Sequence, residues 1–86
     1  MGVAGIPQLR EAAWLYGDDP DLPLALVRLF ERMDGSDVWE VRLNYPAASP
    51  TQSVEHPDEQ SAQAEVERLY AEGRQHGVWR VRRRGD

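Results

Sequence analysis

Eighty-six residues are enough for one domain, 1–86, and too few for two independent cores. Apolar residues at 41% and charged residues at 29% match ordinary globular usage, which excludes a wholly disordered chain. The net charge of −5 argues against an overall polyanion binder, because the whole molecule would repel nucleic acid at long range.

The longest apolar cluster, Leu22 to Phe30, is interrupted by Pro23 and Arg28. A membrane helix needs ~20 apolar residues, so no membrane association is expected. The N-terminus lacks the basic start and apolar run of a secretory signal, which makes a cytoplasmic protein the expectation. With no cysteine, disulfides, thiolate nucleophiles and sulfur-based zinc sites are excluded. All the basic residues are arginine, a bias typical of GC-rich coding sequences such as those of actinobacteria and their phages. Residues 1–72 hold 14 acids and 5 arginines, while residues 73–86 hold 5 arginines and one acid, an acidic body with a basic end.

In chain order, a first helix is expected from Pro7 to Tyr16. Proline suits a first helical turn, Leu9, Ala12, Ala13 and Tyr16 recur at helical spacing, and Gly17 stops the run. After the turn Gly17-Asp18-Asp19-Pro20, a second helix is expected from Asp21, as its cap, to Met33. Leu22, Leu26, Leu29, Phe30 and Met33 share one face, and Asp34-Gly35 ends it. Residues Asp37 to Tyr45 alternate, with Trp39, Val41, Leu43 and Tyr45 on one side and Glu40, Arg42 and Asn44 on the other, a strand with one buried face. A short return strand is expected at Gln52–Glu55 within the proline-bearing stretch 46–57. A third helix follows from Pro57 or Asp58 to Gly73, with Ala62, Val66, Leu69 and Tyr70 as its apolar stripe and Glu65, Arg68 and Glu72 in water. A last strand runs from Val78 to Arg83, with Trp79 and Val81 inward and Arg80, Arg82 and Arg84 outward.

The order α-α-β-(β)-α-β implies an α+β fold, a mainly antiparallel sheet of two or three strands packed by three helices. On that plan the Trp39 and Trp79 strands are neighbours and Glu40 faces Arg80 or Arg82. The echo Val38-Trp39-Glu40-Val41-Arg42 and Val78-Trp79-Arg80-Val81-Arg82 reads as one packing solution used twice, a tryptophan under a helix. Two copies are too few for a repeat architecture.

No residues assemble a catalytic, cofactor or metal motif, so a non-enzymatic protein is expected. His56 and His76 lack ligand spacing, the serines lack a nucleophile elbow, and there is no glycine-rich phosphate loop. The aspartates at 18, 19, 21, 34 and 37 do not follow the calcium-loop pattern and suit turns and caps. What remains is a surface. Trp14 falls off the first helical stripe beside Tyr16, and Arg80, Arg82, Arg83 and Arg84 cluster at the basic end. Tryptophan, tyrosine and arginine are the residues enriched at binding hot spots. The expectation is therefore a small protein-binding or regulatory module: an inhibitor, an immunity- or antitoxin-like protein, or an accessory subunit of cellular or phage origin. A nucleic-acid-associated factor that sets the arginine strand on phosphates is the second reading. The plainer account of the arginines, a solvated face that balances acidic helices, stands beside both.

Overall fold

The computed structural model describes residues 7–32 and 38–84. It holds five strands and one helix: β1 Pro7–Tyr16, β2 Pro23–Arg32, β3 Trp39–Asn44, β4 Gln52–His56, α1 Glu59–Gly73 and β5 Val78–Arg83. The strands form one sheet in the order β4-β3-β2-β1-β5, and every neighbouring pair is antiparallel. Four strands meander, α1 crosses one face from the β4 edge, and β5 completes the opposite edge beside β1.

This architecture overturns the three-helix plan. The segments expected as the first two helices are ten-residue strands that pair with each other along their whole length. Asp21 does not cap a helix; its N–H donates instead to the Asp19 carboxylate at 2.9 Å in the β1–β2 turn. Met33 and the Asp34-Gly35 stop lie outside the described residues, as does Asp37. The Trp39 and Trp79 strands are not neighbours either, because β2 and β1 lie between them. Glu40 consequently cannot face Arg80 or Arg82; it binds Arg42 at 2.8 Å and accepts from Ser53. The expected strands at β3, β4 and β5 and the expected helix at α1 are present.

α1 starts at Glu59, and Asp58 is its N-cap and not part of its first turn. Asp58 is extended, and its carboxylate accepts the Ser61 N–H at 2.8 Å, a bond that holds the Asp58 carboxyl below its ordinary range. The helix buries Ala62, Val66 and Tyr70 against Ala13, Val27, Leu29 and Val41, and Trp39, Leu43, Leu69 and Trp79 pack around this core. Both tryptophans of the repeated pentapeptide therefore lie on the helix side, one on β3 and one on β5. The Trp79 ring lies 5.0 Å from that of Tyr70, and its Nε1 donates to the Tyr70 carbonyl at 3.0 Å. One stretch of α1 departs from the expected wet face: Glu65 is only partly exposed and binds His56, which ties β4 to the helix.

Gly77, between α1 and β5, sits where two backbones meet. A Cβ there would fall 2.1 Å from the Tyr16 carbonyl oxygen, and the obstructing atom is main chain that no rotamer change can move. Gly77→Ala is expected to push β5 away from β1 and to destabilise the protein by about 1–3 kcal/mol. Chemical denaturation of the variant reads this directly.

Candidate interaction surface

Because strands alternate, the sheet has two distinct faces. One, described above, is covered by α1. The described residues place no element over the other. Its composition follows from the register. Phe30 lies opposite Glu40, and Glu40 opposite Glu55. The next row crosses four strands as Ser53, Arg42, Arg28 and Ala12, and reaches Arg82 on β5. The third row is Asn44, Leu26, Trp14 and Arg80, with Tyr16 opposite Val78 beyond it.

This open face gathers Arg28, Arg32, Arg42, Arg80 and Arg82 against Glu40 and Glu55. The other acids among the described residues lie elsewhere: Glu11 and Glu31 on the helix side of β1 and β2, and the rest at α1 and in the 18–21 turn. Two of the arginines are neutralised within the face: Arg42 by Glu40 at 2.8 Å and Arg32 by Glu55 at 2.8 Å. The Arg42 bond outweighs burial and holds the Glu40 carboxyl below its ordinary range, with help from Ser53. Arg28 donates to Asn44 at 3.0 Å. Among the described residues, Arg80 and Arg82 have no ion-pair partner.

Two of the aromatic rings here, Phe30 and Tyr16, are roofed by guanidinium groups. Arg42 lies 4.3 Å from the Phe30 centroid and Arg80 lies 4.7 Å from that of Tyr16. Trp14 is partly buried between Leu26 and Arg80. At the Tyr16 end of the sheet, Leu22 is 66% exposed and Tyr45 59%, with Pro23, Pro46 and Ala47 beside them, an apolar patch at the turns.

Of the six residues that the sequence singles out, four come together here: Trp14, Tyr16, Arg80 and Arg82. Arg83 and Arg84 do not. Arg83 points to the helix side, where its Nε donates to Glu11 at 2.8 Å, and this carboxylate raises the Arg83 guanidinium further above its ordinary value. Arg84 lines a cleft at the other end of the sheet. Sequence reasoning missed Leu26, Arg28, Phe30 and Arg42 as members of the same face. A strand reading of β2 exposes them, since Leu26, Arg28 and Phe30 recur at every second position.

That second cleft, about 460 Å³, lies where α1 begins and includes Arg10, Glu11, Glu31, Trp39 and Gln63. Four of its charges are paired with one another, while Glu59 and Arg84 line it outside those pairs. Arg10 binds Glu31 at 2.6 Å, and the buried Glu11 accepts from both Arg83 and the Tyr70 hydroxyl, the latter at 2.5 Å. This network joins β1, α1 and β5. Among the described residues, no three His, Asp or Glu side chains gather in a way that could hold a metal ion. The described helix, α1, is not long and apolar enough to cross a membrane.

No protein-family model, curated protein or solved structure matches the chain.

Proposed function

We propose that the protein is a non-enzymatic docking module that binds a protein partner through the open face of its sheet. The observation that carries this reading is the convergence of Trp14, Tyr16, Leu26, Arg80 and Arg82 on one uncovered face. Tryptophan, tyrosine and arginine supply most of the energy at protein interfaces, where anchors are surrounded by contacts that exclude water. Inhibitors, immunity-type proteins and accessory subunits work this way, with no chemistry of their own.

The same face has the makings of a single-strand nucleic-acid platform, on which bases stack on aromatic rings beside arginines. Ring access favours the protein reading. Phe30 and Tyr16 are already stacked under Arg42 and Arg80, so a base would have to displace a guanidinium at each. A protein partner can instead use the arginine–aromatic stacks as they stand.

Affinity capture from a GC-rich bacterial lysate, with and without nuclease, tests the reading. A stoichiometric protein retained after nuclease is expected. Against that purified partner, Trp14→Ala is expected to weaken binding by about 30-fold or more, the effect of losing a hot spot worth about 2 kcal/mol. Arg82→Glu is expected to slow association and to flatten its dependence on salt. Retention that vanishes with nuclease, with affinity falling steeply in salt, would replace the docking reading with the nucleic-acid one.

A further inference from the structure

We infer that the free edge of β5 receives an extended acidic segment of the partner as a sixth strand. The inference rests on the docking reading and gives it a mode and a partner chemistry. Among the described residues, β5 pairs with β1 on one side and with nothing on the other. In an antiparallel ladder half of a strand's N–H and C=O groups face each neighbour, so about three of each point outward along Val78–Arg83. Such a row is a template for strand addition.

Charge selects the occupant. Arg80 and Arg82 project to the open face and Arg83 to the helix face; Val81 between them is 42% exposed and Val78 at the start of the strand 70%. A second copy pairing edge to edge would set arginine against arginine, which like-charge repulsion disfavours. An incoming strand with carboxylates at every second position places them opposite Arg80 and Arg82, with apolar residues between them. Once seated, such a strand lies one strand-spacing from β5 and widens the open face beside Trp14. The other edge, β4, carries no arginine to meet the same segment.

The probe is a capped hexapeptide of alternating glutamate and valine, titrated into the full ¹⁵N-labelled chain. Amide shifts along 78–83 are expected, with amide exchange there slowed at least tenfold, and both effects should disappear in 0.5 M salt. A lysine–valine peptide and a version of the glutamate peptide N-methylated at every residue are expected to do nothing. Binding by the N-methylated peptide, or shifts confined to the Trp14 indole with β5 exchange unchanged, would overturn strand addition and leave the docking face standing. Absence of any shift at millimolar peptide would overturn the edge as an acidic-strand site. Concentration-dependent protection of β5 without peptide would overturn it in favour of a second copy. Loss of partner capture in Trp14→Ala together with intact peptide binding separates the face from the edge.

Discussion

Leu29→Ala is expected to cost about 2–5 kcal/mol, while Phe30→Ala, one residue along, costs roughly 1–2 kcal/mol. The contrast follows from strand alternation. Leu29 is 1% exposed on the helix side, opposite Val41 on one neighbour and Glu11 on the other. Removing its branched end leaves a void among groups fixed on three elements, and the polar cleft beside it opens to the same void. Phe30 points the other way, beneath Arg42, where a truncated side chain is replaced by water and a relaxed guanidinium. A chain of 86 residues has roughly 4–13 kcal/mol of stability in all, so Leu29→Ala removes a large share of it. Urea denaturation followed by tryptophan fluorescence measures both variants. Had residues 21–33 formed a helix, Leu29 and Phe30 would share one buried stripe and cost alike; equal losses would sink the strand assignment of β2.

The misreading of β1 and β2 has a physical origin in these same residues. A strand with one wet face shows a clean alternation, and β3 does, which makes Trp39, Val41 and Leu43 legible as core. β1 and β2 are interior strands that carry apolar residues on the open face as well, Trp14 in one and Leu26 and Phe30 beside Arg28 in the other. Their apolar residues fall on both phases, and a pattern filled on both phases also satisfies a spacing of three and four. Alanine, leucine, arginine and glutamate then tip local propensity towards helix, and tertiary pairing overrides it. A bulge between Leu9 and Glu11 shifts the phase once more, so Leu9 faces opposite to Glu11, Ala13 and Leu15. α1 had no such ambiguity, since its cap at Asp58 and stripe at Ala62, Val66 and Tyr70 agree. The candidate face was partly visible for the same reason. Trp14, Tyr16, Arg80 and Arg82 stand out by type, but only the register shows that they share a surface with Arg28 and Arg42. The alternation of β5 already sets Arg83 on the opposite phase to Arg82, but only the fold supplies its partner there, Glu11, 72 residues away.

The Glu11–Tyr70–Arg83 network sets the second large effect, a steep alkaline limit. Burial is the main force that raises the Tyr70 hydroxyl far above its ordinary range, and its hydrogen bond to the Glu11 carboxylate adds to this. In the unfolded chain the same hydroxyl titrates near 10. The folded form thus holds a proton that the unfolded form releases above that pH. The stabilisation is complete below pH 10 and is lost as pH rises beyond it, by up to about 1.4 kcal/mol per unit. By pH 12 the protein is expected to have lost about 2–3 kcal/mol through this one group. Tyr70→Phe removes the titrating proton. At neutral pH it costs about 1 kcal/mol for the lost hydrogen bond, while Arg83 continues to hold Glu11. Tyr16 and Tyr45 are present in both proteins, so their contributions cancel in the comparison. Urea midpoints measured from pH 7 to 12 are therefore expected to cross near pH 11, with the phenylalanine variant more stable above it. Parallel curves would mean that the Tyr70 hydroxyl reaches water in the folded chain, and that Glu11 is held by Arg83 alone.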